Sequence, residues 1–414
     1  MSVVIAFVVV LVMYSHAYQY LWMANIINVM PGIWYAVIAV LCVVGWIASR
    51  GRGVSIGEYN VKDYRACQFR LLIWAGVFVL CVGLSYLASA GAPEQLRALK
   101  TAMISVAMLV AFMAVFTGQR EVRAARIAMT LVVIVSILLN VVDFSGIYTF
   151  SLASGRAAGM YVNPNLSALY LVLGLVLTVS LVPKRLRLKY AYLVGLGVLL
   201  TFSRSGVLTW LIALYWLSKN GMFSLSRRVL LLTLAGLLSL ALVVQFRVSI
   251  LEATGADHFL SENARQRLYF DYKTDGSVQG RIAVAERSWE LIRAKPLMGH
   301  GIGAHSVWRT NVQPHNMFLL LGVELGVLGV LLYIGWLLVL WRKNSHISQV
   351  FVATIFVASL FSHNILDYPA IWLACALLLG IVNPHVATHG DDLRRAGQAK
   401  ALLAEQFASR FRGS

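Results

Sequence analysis

Apolar runs recur along this chain near residues 3–23, 33–48, 71–88, 102–116, 127–142, 166–182, 190–202, 206–217, 229–246, 317–340, 348–366 and 370–382. A helix of about 20 apolar residues crosses roughly 30 Å of hydrocarbon, and shorter ones suffice where the bilayer thins. The pattern predicts an all-α polytopic membrane protein with about 12 transmembrane helices. Composition agrees: 59% of the 414 residues are hydrophobic and 13% charged, with a mean hydropathy of +0.76. Soluble domains carry about 25% charged residues, so an ordinary water-soluble enzyme is excluded. A disordered chain is excluded too, because so much apolar surface must be covered. The first run lacks a basic leader and a small-residue cleavage site, and reads as a retained span.

The formal charge is +18, from 35 Lys and Arg against 17 Asp and Glu. Its placement explains most of it. Alternate connections and the C-terminal tail hold 22 basic residues, among them Arg120, Arg123, Arg126, Lys184, Arg187 and Arg342. The short connections between them hold four: Arg97, Lys100, Arg156 and Arg204. Basic residues concentrate in cytoplasmic loops, so both termini are expected in the cytoplasm and segment 247–316 outside. The surplus charge then sets topology and meets anionic lipid, with no nucleic acid as partner. The expected organisation is transmembrane helices 1–9 over 1–246, an external loop over 247–316, helices 10–12 over 317–387, and a cytoplasmic tail over 388–414. The segment 190–217 reads as two short helices meeting at Ser203-Arg204-Ser205-Gly206. A single long helix there would bury Arg204 at its centre and break the charge alternation.

Charges on the outer side are not needed for topology. Nine basic residues lie in the long loop, including Arg265 and Arg281, and Arg156 and Arg204 lie in otherwise neutral connections. An arginine beside hydrocarbon is costly and usually has a partner or a task. Planar guanidinium groups converging from several loops suit a diphosphate. The plainer alternative pairs each with lipid phosphate or with a loop acid such as Glu262, Asp271 or Glu286.

Residues 281–296 repeat apolar Ile282, Ala285, Trp289 and Ile292 at helical spacing, predicting an amphipathic helix against the membrane domain. Gly299-His-Gly-Ile-Gly303 follows without a preceding strand or a GK[ST], and reads as a tight turn rather than a phosphate loop. Pro314-His315-Asn316 then opens the run 317–340, placing His315 on the first helical turn at the membrane rim. Imidazole there could take a proton from a hydroxyl near neutral pH, or serve only as an interfacial or capping group. The other outer histidines form no metal-ligand spacing, so no metal site is expected.

Together these pieces resemble the bacterial O-antigen ligase of the O-antigen ligase/polymerase (WaaL/Wzy) superfamily. The matching residues are Arg156-x-x-Gly159 with Asn163-Pro164-Asn165, Ser203-Arg204-Ser205-Gly206, Arg281 to Trp289, Pro296-x-x-Gly299-x-Gly301, Pro314-His315-Asn316-Met317 with Glu324-Leu-Gly326-x-x-Gly329, and Asp367-Tyr-Pro369 with Trp372. The resemblance covers about residues 150–380 and implies a GT-C-like glycosyltransferase of the bacterial inner membrane. It implies transfer of a glycan from undecaprenyl diphosphate to a hydroxyl of lipid A–core oligosaccharide, on the periplasmic face, with no cofactor. By motif, His315, Arg204 and Arg281 match the family's essential residues. Arg156 and Arg265 join Arg204 and Arg281 as donor-binding candidates, with Asn163, Asn165 and Asn316 in support. The expected chemistry is an inverting displacement with His315 as general base. The alternatives are an O-antigen polymerase or a protein O-oligosaccharyltransferase of the same superfamily. A lipid-linked glycan transporter is the alternative from another class.

Overall fold

The computed structural model describes residues 1–49, 58–89, 93–153, 156–226, 276–307, 314–342 and 345–381, with parts of 229–236. The described residues are helical, without strands. In chain order the helices are α1 (Ser2–Ser15), α2 (Ala17–Met23), α3 (Pro31–Ser49), α4 (Glu58–Leu87), α5 (Pro93–Val115), α6 (Gln119–Ser145), α7 (Pro164–Thr178), α8 (Lys184–Leu200) and α9 (Arg204–Lys219). They continue with α10 (Gly276–Ala294), α11 (Met317–Leu340), α12 (His346–Ser359) and α13 (Pro369–Gly380). Most of the run 229–246, the loop 247–275 with Arg265, and the tail 388–414 lie outside the described residues.

Six helical segments are long and apolar enough to cross a membrane: Pro31–Ser49, Arg65–Leu87, Pro93–Val115, Gln119–Ser145, Pro164–Leu181 and Met317–Leu340. The run 3–23 makes a seventh only as a broken span, bent 44° between α1 and α2, where His16 turns left-handed at φ 54°. The other described apolar runs are also helical but shorter, down to 12 residues in α13. About 12 transmembrane helices, several of them short, were expected from the sequence; length and composition support six or seven among the described residues.

The core is built around α7 and α13. Every residue of α13 is buried, as is nearly every residue of α7. α7 packs against α6, α8, α9, α12 and α13, and α13 against α1, α4, α5 and α6 as well. Around them, Val40, Phe69, Leu80, Leu138 and Leu338 of the outer helices point outward and are exposed, as expected of helices whose solvent is lipid.

Segment 190–217 is two helices, as the charge pattern required. Thr201–Ser203 breaks it, Phe202 sits at φ 49°, and the Ser203 hydroxyl caps α9 by accepting from Gly206 N at 3.1 Å. Three expectations need correction. His315 is not on the helical turn, because Asn316 is the cap of α11, its side chain accepting from Phe318 N (2.8 Å) and Leu319 N (3.1 Å). The run 317–340 is not one regular helix, since Gly326 breaks it at φ 65°, ψ −154°. On α10 the predicted stripe is half right: Ala285 and Ile292 are half-buried, with Ile292 against Gly322 of α11, but Ile282 and Trp289 are exposed and Val284 and Ser288 are the buried residues. Ser288 turns its hydroxyl back to Val284 O at 2.6 Å, which makes it small and satisfied enough for close packing.

Candidate active site

The short connection 146–163 is the first wall of the site, and a buried carboxylate shapes it. Asp143, in the last turn of α6, accepts from Phe150 N (3.2 Å), Ala158 N (2.8 Å) and Gly159 N (3.3 Å). Val162 is held at φ 63°, a conformation a β-branched residue adopts only under constraint. The next residue, Asn163, caps α7 through its side-chain oxygen. Phe202 likewise precedes the Ser203 cap of α9. Backbone strain thus flanks both helix starts that face the cleft.

Arg156 joins these two starts. Its Nε donates to Thr201 O at 3.1 Å and its Nη2 to Asn165 Oδ1 at 2.7 Å. Ser203 Oγ donates to the same Asn165 oxygen at 2.9 Å. Arg204 follows as the first residue of α9 and is exposed. Gly206 lets α9 close on α7: a Cβ there would meet that of Ala168 at 2.4 Å.

Between these helix starts and the segments that precede α11 and α13 lies a cleft open to solvent. Asn163, Asn165, Ser205, His315, His363 and Tyr368 are among the residues that line it. The N-termini of α7, α9, α11 and α13 therefore meet at one place. Each helix start carries roughly half a positive charge, so four together favour an anion, although Asn163, Ser203 and Asn316 already cap N–H groups of α7, α9 and α11.

His315 is exposed in this cleft. His363 stands edge-on to it with ring centroids 5.6 Å apart. His363 is itself buried, and burial with the two neighbouring imidazoles lowers its pKa to about 4. His305 lies 6.3 Å beyond, centroid to centroid, and pairs through Nδ1 with Glu324 Oε1.

The structure brings Arg156, Asn163, Asn165, Arg204, Asn316 and His315 to this one end of the bundle. Arg281 lies in the first half of α10, with its side chain outside the described residues, and Arg265 is outside them altogether. Among the described residues, no group of three or more His, Cys, Asp or Glu could hold a metal ion. Reasoning from sequence assigned no role to His305, His363, Glu324 or Asp367. One signal was present: Glu324 is an acid inside an apolar run, where ionisable residues mark function.

Residues 166–334 match a family model described as O-antigen ligase. The match takes in α8, α9, α10, His315 and nearly all of α7, and leaves Arg156, Asn163, His363 and Asp367 outside it. A search among curated proteins finds no match.

Proposed function

We propose, from the match of residues 166–334 to an O-antigen ligase family model, that this membrane protein is a GT-C-like glycosyltransferase acting at the cleft. In this reading it moves O-antigen polysaccharide from undecaprenyl diphosphate to a hydroxyl of lipid A–core oligosaccharide. The observation that carries the reading is the meeting of four helix N-termini with His315 around one cleft.

The donor already holds an activated anomeric carbon with diphosphate as leaving group, so the protein has two tasks. One is to stabilise charge as the diphosphate departs. The converging helix starts supply fixed positive ends, with Arg204 among them and Arg281 and Arg265 assigned by motif. Arg156 contributes by bracing Asn165 and the α8–α9 turn. The other task is to take the proton from the acceptor hydroxyl, which His315 does as general base, worth about 10²–10⁴-fold. Anchoring both substrates in one bilayer adds proximity. A single displacement inverts the anomeric configuration, and neither metal nor nucleotide enters the step.

Basic residues at the opposite end of the bundle support the sidedness of this reading. Arg126 donates to Leu177 O (2.8 Å) and to Ser180 Oγ, Arg187 to Val182 O (2.9 Å) and Ser180 O (3.1 Å), and Arg342 to Leu379 O (3.3 Å). This basic end lies a helix length from the cleft, about 22 Å along the 15 residues of α7. By the charge rule it is cytoplasmic, with both termini, and the cleft opens to the periplasm of the inner membrane.

The test is reconstitution of the purified protein with lipid-linked glycan and rough lipopolysaccharide, without metal or ATP. A ladder on lipopolysaccharide is expected. Growth on the lipid carrier alone would mark a polymerase, transfer only to an added pilin a protein glycosyltransferase, and movement of donor without transfer a transporter.

A further inference from the structure

Behind His315 stands a row of titratable groups that the transfer step above leaves unused. His363 and His305 follow each other edge-on, and His305 ends on Glu324. Glu324 is 3% exposed and its Oε1 also accepts from Gly303 N at 2.7 Å. Asp367 completes the group, and its charge acts on both Glu324 and His305. The turns carrying His305 (Ala304–Val307) and Asp367 (Ile365–Asp367) both pack on α5, so the fold itself holds the two together.

The charges can be counted. Burial disfavours the charged form of His305, but the hydrogen bond and charge of Glu324, with the charge of Asp367, outweigh it and raise its pKa. Asp367 opens to solvent yet is hemmed in by protein. That desolvation, with the charge of Glu324, pushes its carboxyl up to about 6 against the pull of His305. Two carboxyl groups thus surround one imidazole, with His363 between His305 and His315.

We propose that His305, Glu324 and Asp367 are positioning residues: placed behind His363 as two acids against one imidazole, they stabilise the imidazolium formed when His315 takes the acceptor's proton. This rests on the reading of His315 as base. In that step the acceptor O–H bond breaks as N–H forms on His315, and the new glycosidic bond forms as the anomeric C–O bond to diphosphate breaks. The electron pair leaves with the diphosphate. Other charged groups at this end of the bundle are Arg156, bound to Asn165, and Arg204, at the start of α9. Exposed Glu94 and Arg97 in the first turns of α5 carry opposite signs. Tyr368 shares the cleft and is neutral.

The experiment is the pH profile of kcat for the full-length protein in liposomes, with lipid-linked glycan and rough lipopolysaccharide. Asp367→Asn removes negative charge, so His315 becomes a weaker base. The acidic limb moves to lower pH by about half a unit to one unit, the size of one charge at this range, and kcat falls several-fold. His305→Gln removes positive charge and bares Glu324, so the limb moves to higher pH. Opposite displacements support the proposal. Limbs displaced the same way, or unmoved while kcat falls, overturn it. If Asp367→Asn does not fold, His305→Gln decides by the same sign. A wild-type protein without transfer, or a His315→Ala variant that transfers normally, sinks the underlying reading instead. Loss in His315→Ala with unmoved limbs sinks this proposal alone.

Discussion

Asn316 couples two functions in one side chain. Its oxygen caps α11, and its Nδ2 donates to Leu360 O at 3.3 Å, tying the start of α11 to the end of α12. The residue before it is His315, so the cap aims the proposed base. Asn316→Ala removes both bonds and is expected to cost about 1 kcal/mol of stability, with a larger loss of transfer than of donor binding. Thermal unfolding in detergent and transfer in liposomes measure the two; unchanged transfer would show that the cap does not position His315. At this scale the sequence was readable where motif residues are contiguous, as in Pro314-His315-Asn316. It was not readable for His363, which meets His315 only through the packing of the chain before α13; Asp367 stood in the Asp367-Tyr-Pro369 motif but without a role. The lone acid Glu324 announced a site, but its partner His305 sits 19 positions earlier, just after the Gly299–Gly303 turn.

Among the elements, α11 shows why periodicity could not foresee its shape. Apolar residues continue through 317–340, yet Gly326 opens the helix and the chain 296–301 fills the break. His300 N donates to Val323 O (2.8 Å), Gly301 N to Glu324 O (3.0 Å) and Val327 N to Pro296 O (2.8 Å). Freed backbone groups at membrane depth are tolerated because protein satisfies them. The same junction sets Glu324 against Gly303 and His305. A Cβ on Gly326 would lie 2.4 Å from Leu297 O, in a backbone conformation that L side chains avoid. Gly326→Ala is therefore expected to cost at least about 2 kcal/mol. Gly76→Ala, with nothing within 4 Å, serves as the control. A melting temperature for Gly326→Ala equal to that of Gly76→Ala would contradict this account of the break. The α10 face was misread in part, for a related reason: close packing selected Ser288, a polar residue, over Trp289.

For the whole molecule, alternation of basic loops was legible and the structure follows it: Arg126, Arg187 and Arg342 gather at one end, while Arg156, Arg204 and His315 gather at the other. Helix length was less legible, since apolar runs carry no record of where helices such as α12 and α13 stop. At 12 residues, α13 extends about 18 Å, well short of a bilayer's roughly 30 Å, and it brings its N-terminus to the cleft. The account depends on that cleft being where glycan changes carrier. The most direct measurement compares wild-type and His315→Ala protein in liposomes for both donor affinity and glycan transfer. The account predicts donor affinity within about twofold and transfer lower by about 10²–10⁴-fold. Transfer by His315→Ala at near wild-type rate would contradict it.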